Sequence, residues 1–511
     1  MVTAIPMLRL DRHSSVAQPR MRLAHLQERR SKMFLLAVLA VHTTVWTAAC
    51  TLLRSPVPFD AVDAANWGRH LEFGYTKGPY LVGWVSRLGL MFNGGRPSDF
   101  AYYFLHMSGI AIGVYGVWLL ALRLLRDVRL ALLAALALGL TTIVSVSSIP
   151  YNDNYLLIAL WPFAFYFFIR ACFDQERYWI WAGLFAGLAM MAKYSTAVFL
   201  PWMLLYTFWN REVRQSYRSW EIYAGMAAFC SICLPNLLWL YSHDFEAIGW
   251  ITSEITNHDI RSSLPAYIDA FYSVPLLYLI LAKLGRINRV QTVSKEQRAF
   301  VFVYVAPVAA LLVVFLFINS HRLTEWLEPL AIFYSIALLI FVRPVLSAKS
   351  MRILRRVFAG FVALFLAGYV VAYTVFDDRS NDKRYLVALS KEANELWRQE
   401  TGLPLTYVGG GKDHDWLSFY APDHPLLIDR WDPSNYTSYN PAIDNAMIKS
   451  HGVLLIAPRA CDGTIFESTL EKYPFMNSIQ VFDHDFRFRG IARHYCLGYY
   501  LPQSEQVRPE H

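Results

Sequence analysis

The sequence predicts an α-helical polytopic membrane protein with a small C-terminal α/β domain. Three observations predict it. Of the 511 residues 55% are hydrophobic and only 17% charged, and mean hydropathy is positive, whereas a water-soluble chain of this size carries more charge. The apolar residues come in blocks that match the roughly 20 residues a helix needs to cross a hydrocarbon core. Beyond residue 376 the pattern changes to short strand-like runs separated by helical ones.

The elements follow in order. Residues 1–32 form a polar, basic arm with no cleavable signal peptide, so the first span is expected to serve as its own insertion signal. Candidate spans lie near 33–53, 100–122, 130–148, 154–171, 179–192, 195–209, 221–241, 265–283, 299–318, 326–342 and 357–376, about 11 in all. The pair over 179–209 is interrupted by Lys193 and Tyr194, which suits a hairpin, a broken helix or a re-entrant piece. The short apolar run from Pro79 to Phe92 contains Arg87 and reads as interfacial. Basic residues fix the expected orientation, because Lys and Arg accumulate in cytoplasmic loops. Arg20, Arg22, Arg29, Arg30 and Lys32, then Arg123/Arg126/Arg129, Arg211/Arg214/Arg218, Lys283–Arg298 and Arg343–Arg356 all fall on one side. The first loop (54–99), the turn at 150–154, the loop 242–263, the link 320–325 and the tail 377–511 fall on the other. The net charge of +8 is thus mostly a topology signal, and nucleic acid is not an expected partner.

In the tail, the runs LTYVG, PLLID, HGVLLIAP, SIQVFD and HYCLGYYL read as strands and Lys383–Glu400 as a helix. Gly409-Gly410-Gly411 lack the spacing of a nucleotide loop and read as a strand-ending turn. Cys461 and Cys496 are the only cysteines of this exported region and are expected to pair, while Cys230 and Cys233 have CxxC spacing inside an apolar helix without acidic or His partners. No metal site is predicted.

The chemistry concentrates in the first loop. PFDAVDAANWGRHLEFGYTKGP, from Pro58 to Pro79, packs carboxylates, cations, a histidine and aromatic rings into a connection that would need none of them. Asp60 or Asp63 could act as a base there and Lys77 could hold a phosphate. The blander alternatives are an interfacial helix with Asp60 as a cap, a solvated Asp63, a Lys77 that snorkels to headgroups, and a packed His70.

Asp60 … Trp67-Gly68-Arg69-His70-Leu71 … Gly74-Tyr75-Thr76-Lys77-Gly78-Pro79 resembles the first external loop of GT-C glycosyltransferases of the family 39/83 type, the group of protein O-mannosyltransferases and the lipid A aminoarabinose transferase. Pro150-Tyr151-Asn152-Asp153-Asn154, Ala192-Lys193-Tyr194-Ser195-Thr196, Arg322-Leu323-Thr324-Glu325-Trp326 … Pro329 and Tyr407 … Asp423 are similar to the group at the corresponding places. Two departures stand out: the group's Asp-Glu is Asp60-Ala61 here, and its His/Lys-Pro-Pro is Lys77-Gly78-Pro79.

The resemblance implies a GT-C fold and inverting transfer of a sugar from a polyprenyl-phosphate donor at the outer face of the cytoplasmic membrane. The acceptor it implies is an envelope glycolipid such as lipid A or lipopolysaccharide core, with protein hydroxyls or another glycan as alternatives. Asp60 is then the counterpart of the catalytic Asp, assisted or replaced by Asp63; Lys77 neutralises the departing phosphate, with Arg69 as an alternative. Asp153 orients the acceptor or the base, Lys193 adds a second phosphate contact and Arg322 a third, and Trp67, His70, Tyr75 and Tyr194 line the substrate pocket. No cofactor is firmly implied, and a divalent cation is left open because Asp60 with a distant Asp153 makes a poor all-protein site. A lipid-linked-sugar binding protein or a transporter is the non-enzyme alternative, though transporters place their polar groups at mid-membrane depth.

Overall fold

The computed structural model describes residues 14–503 apart from 55, 148, 151, 256–259, 290–291, 318–319, 321, 376–383, 412, 431 and 433–438. Residues 1–13 of the basic arm, Tyr151, Phe376 and the start of the tail lie outside the described residues.

The helices of the membrane part are α1 (Ser14–Leu53), α2 (Phe59–Arg69), α3 (Leu81–Phe92), α4 (Asp99–Leu125), α5 (Val128–Ala137), α6 (Asn152–Phe173), α7 (Tyr178–Ala192), α8 (Leu200–Trp209) and α9 (Trp220–Ser242). They continue with α10 (Glu246–Ser253), α11 (Ile260–Phe271), α12 (Ser273–Leu284), α13 (Lys295–Phe300), α14 (Ala306–Val314), α15 (Leu323–Leu327), α16 (Tyr334–Phe341) and α17 (Ala348–Thr374). Among the described residues seven helical stretches are long and apolar enough to span a membrane, or eight if α11 and α12, bent by 41°, count as one. The chain is therefore a multi-pass membrane protein, and three of the about 11 expected spans fall on shorter helices. The runs at 130–148, 179–192 and 195–209 form helices of only 10, 15 and 10 residues. At 1.5 Å per residue, the longest of these is about 22 Å, short of a ~30 Å hydrocarbon core. Lys193 ends α7, and the 3₁₀ turn Tyr194–Val198 separates it from α8, so the interrupted run is a broken pair of helices.

Close packing comes from small residues: a Cβ on Gly183 or Gly225 would fall on a backbone carbonyl of the facing helix, so α7 and α9 meet backbone to backbone. The two ends of the bundle differ chemically. At one end the basic loops meet acids and each other: Arg126 pairs with Glu296 at 2.6 Å and Lys295 with Glu212 at 2.5 Å. There too Arg286–Arg289 pairs antiparallel with Val342–Val345. The opposite end gathers the first loop, the start of α6, the α7–α8 break, α10 and α15.

The C-terminal domain holds α18 (Tyr385–Thr401), α19 (His414–Tyr420), α20 (Asn445–His451) and α21 (Glu467–Lys472) around one five-stranded sheet. Its strands are Leu426–Leu427, Tyr407–Gly410, Val453–Ala457, Ile491–Tyr500 and Gln480–Phe488 in spatial order, the first three parallel and the last two antiparallel. Arg489-Gly490, both at positive φ (52° and 84°), turn the final hairpin, the conformation of a type I′ turn. Cys461 and Cys496 form a disulfide, while Cys230 and Cys233 are free.

Candidate active site

The first loop is built so that its charges face one another. Pro58 leads into α2, which places Asp60 in the first turn, where the helix dipole favours an acid, and Asp63 one turn on. After Arg69 the chain reverses through a two-stranded hairpin, Gly74-Tyr75 paired with Gly78-Pro79, whose tip is Thr76-Lys77. Tyr75 seats the hairpin: its ring stacks on Trp67 at 4.9 Å and its hydroxyl lies 3.0 Å from the carbonyls of both Trp67 and His70. Gly74 lies against the Trp239 indole, where a Cβ would overlap the ring. Asn236 donates to the Phe73 carbonyl at 2.7 Å. Lys77 is thereby turned back onto α2, its Nζ 2.6 Å from Asp63 Oδ2 and 5.0 Å from the centre of the Phe59 ring.

A second polar wall comes from three separate helices. Asp153 and Asn154 open α6, Lys193 closes α7, and Arg322 and Glu325 stand at the start of α15. Lys193 Nζ lies 2.9 Å from Asp153 Oδ2, 3.0 Å from Asn154 Oδ1 and 2.9 Å from Glu325 Oε1. An ammonium has three protons, and all three are used. Glu325 Oε2 takes Arg322 at 2.9 Å, while Arg322 Nε pairs with Glu254 Oε2 at 3.2 Å and its guanidinium lies over the Trp250 ring at 5.1 Å.

The two walls enclose a cavity of about 380 Å³, within the range of small-ligand sites. Asp60, Asp63, Lys77, Asp153, Lys193, Arg322 and Glu325 line one part, and Trp67, Trp250, Phe315, Trp326 and Leu330 the apolar remainder. Asp153 Oδ1 is buried with no hydrogen-bond partner among the described residues. Burial, reinforced by the carboxylates of Glu325, Asp153 and Asp63 and opposed by Lys77, pushes the Asp60 carboxyl up to about 8. Burial works against the charge of Lys77, but Asp63 outweighs it and holds the ammonium above its ordinary range. Among the described residues no group of three or more His, Cys, Asp or Glu is arranged to hold a metal ion.

Of the residues singled out in the sequence, Asp60, Asp63, Lys77, Asp153, Lys193, Arg322, Trp67 and Tyr194 meet at this cavity. Three do not. Arg69 lies outside the cavity lining, where its guanidinium donates to the carbonyls of Ser418 (2.6 Å), Pro425 (2.8 Å) and His424 (3.2 Å). Tyr75 shapes the hairpin, and His70, pushed down to about 4 by burial and by Arg69 and Arg87, is neutral beside it. Lys193 lines the cavity and, through Asp153, Asn154 and Glu325, cross-links α6, α7 and α15. Sequence reasoning missed Glu325, Asn154, Glu254 and Trp250. A signal existed for Glu325, an acid at the mouth of an apolar span three residues from Arg322; Glu254 and Trp250 carry none.

The segment 77–239, about a third of the chain, matches the family model of dolichyl-phosphate-mannose-protein mannosyltransferases. Among solved structures the fold is similar to that of ArnT from Cupriavidus metallidurans in the apo state, with TM-score 0.59, 15% identity, and coverage of 92% of this chain and 98% of that one. The Archaeoglobus fulgidus oligosaccharyltransferase tethered to an acceptor peptide with the NVT sequon aligns with TM-score 0.46 and 13% identity over 89% of this chain and 69% of that one. No curated protein sequence matches the chain.

Proposed function

We propose that the protein transfers a sugar, with inversion, from a polyprenyl-phosphate donor to a hydroxyl of an envelope glycolipid at the outer face of the cytoplasmic membrane. One observation carries the reading: a single cavity, apolar on one side, joins a carboxyl of raised pKa to cations that can receive a phosphate. A lipid-linked donor needs that combination of an apolar groove, a cation for the leaving phosphate and a base for the acceptor.

Asp60 takes the acceptor proton as the hydroxyl attacks the anomeric carbon and the bond to the phosphate oxygen breaks. Asp63 is committed to Lys77 by their 2.6 Å ion pair, so it positions rather than deprotonates. Lys77, as a compact point charge with two N–H bonds not used by Asp63, receives the phosphate. Arg322 supplies the second cation from the opposite wall, and Asp153, with one oxygen on Lys193 and the other unpartnered, orients the acceptor hydroxyl.

The membrane orientation supports the outer face, since the cavity lies at the end of the bundle opposite the Lys- and Arg-rich loops. The glycolipid acceptor is favoured over protein by similarity in size and overall fold to ArnT. Mass spectrometry of envelope glycolipids and glycoproteins from cells with and without the chain tests the proposal. A single sugar missing from one glycolipid in the deletion, restored by the wild type but not by Asp60→Asn, supports it; an unchanged set of glycoconjugates overturns it.

A further inference from the structure

Toward the end of the bundle opposite the transfer cavity, an apolar groove of about 370 Å³ lies among α6, α7, α8 and α9. Its floor is made of small residues, Ala182, Gly183 and Ala186 of α7 and Gly225 of α9, where the two helices meet backbone to backbone. From Ile222 to Phe229, both in the lining, α9 rises about 10 Å, so the groove runs along the helices. Thr207 and Tyr217 line it where α8 gives way to the loop 210–219, with Thr207 Oγ1 2.7 Å from the Tyr217 hydroxyl. Trp209, Trp220 and Tyr223 are exposed around this end. Such rings settle at headgroup level, which puts the mouth of the groove at a membrane interface.

The loop carries Arg211, Arg214 and Arg218, all exposed and without an ion pair among the described residues. Its one acid, Glu212, is neutralised by Lys295 at 2.5 Å, and Glu221 follows in the first turn of α9. Nearby arginines are spent on acids instead, Arg123 on Asp174 and Glu296 and Arg170 on Asp174. Arg214 and Tyr217 stand three residues apart in the 3₁₀ turn Val213–Arg218, a spacing that puts side chains on one face, so this cation shares the face that borders the groove. Trp179, in the first turn of α7, lines the groove and is 6% exposed, and its indole N–H has no acceptor among the described residues. A buried donor left unpaired is costly. A ligand with a hydrocarbon tail, an acceptor oxygen above it and a negative charge at the surface answers all three features.

We propose that this groove seats one anionic phospholipid, with an acyl chain along α9, an ester oxygen on the Trp179 indole and the headgroup phosphate among Arg211, Arg214 and Arg218. A zwitterionic lipid satisfies the apolar walls equally well, and it is the three arginines that select a net negative headgroup. The site stands apart from the transfer reading, because its lining shares no residue with that of the transfer cavity.

The test uses the full-length chain in detergent micelles, titrated with dioleoyl phosphatidylglycerol or dioleoyl phosphatidylcholine and read by native mass spectrometry. Beside the wild type stand Arg211→Gln/Arg214→Gln/Arg218→Gln, altered only at exposed positions, Trp179→Phe, and Ala186→Phe, which fills the groove. A basic residue at a membrane surface favours an anionic lipid about fivefold, so phosphatidylglycerol is expected to bind the wild type at least about tenfold tighter than phosphatidylcholine. The triple variant should bring the two lipids to the same affinity, and Trp179→Phe and Ala186→Phe should weaken both. Equal affinities in the wild type, the mark of an unselective lipid annulus, overturn the inference. An undiminished preference in the triple variant overturns it too, as does unchanged binding in both Trp179→Phe and Ala186→Phe, since the lipid then sits elsewhere. A polyprenyl phosphate that displaces phosphatidylglycerol from the wild type at lower concentration would make that lipid the occupant and equally overturns it.

Discussion

The pH dependence of transfer is the sharpest consequence of the site. Asp60 must be ionised to accept a proton, and its carboxyl ionises only around pH 8. At pH 7 about one site in ten carries the base, and at pH 6 about one in a hundred. The logarithm of kcat/KM should therefore rise with a slope of about one from pH 6 and level off above about 8. Asp60→Asn keeps the shape and removes the base, which should lower kcat by about 10²–10⁴, or about 3–5 kcal/mol of barrier, with polyprenyl-phosphate binding retained. Stability moves the other way. The native carboxyl titrates above its ordinary value of 3.8, so the stability it contributes is full below about pH 4 and is lost as pH rises through about 8. Asp60→Asn should accordingly melt higher than the wild type at pH 9 and show a flatter pH dependence. The assay is transfer of a labelled sugar in membranes from pH 6 to 9. A flat wild-type profile over that range, or more than about a tenth of the activity left in Asp60→Asn, refutes the assignment.

Three further outcomes are expected. Glu325→Gln strips a buried counter-charge from both Lys193 and Arg322 and should cost about 3–5 kcal/mol; a thermal midpoint within a degree of the wild type would show that the network is solvated. Lys77→Ala should raise the donor KM at least tenfold while the protein keeps its fold, and an unchanged KM would remove Lys77 from the phosphate site. Cys461→Ser opens a bridge across 35 residues and should destabilise the C-terminal domain by about 4 kcal/mol, read as a lower midpoint of the full-length chain that reductant no longer shifts.

Much of the architecture was legible because its causes are local. Apolar runs the length of a hydrocarbon core announce spans, and the alternating runs of the tail coincide with the five strands of its sheet. Cys461 and Cys496, alone in the tail, do pair. The count of full spans was not legible, because nothing in the composition of 130–148 says that its helix stops at Ala137 and tightens into a 3₁₀ turn. The run at 179–209 did announce a break at Lys193, but not the length of its pieces.

The sequence by itself determined the class of molecule, the loop that bears the chemistry and the residue types gathered there, since burial of apolar length and the spacing of charges are written along the chain. Only the tertiary structure decided where each charge is spent. Arg69 and Lys77 are both cations of one loop, yet Arg69 ends on the carbonyls of Ser418, His424 and Pro425 and Lys77 on the cavity. Lys193 and Arg322 both stand beside apolar helices, yet one meets Asp153, Asn154 and Glu325 and the other is shared between Glu325 and Glu254 over the Trp250 ring. Ser418 lies 352 residues from Asn66 in the chain and 2.8 Å from it in space. Electrostatic partners act over a few ångströms whatever their separation in sequence, so which cation meets a phosphate and which meets a carbonyl is settled only when the chain folds.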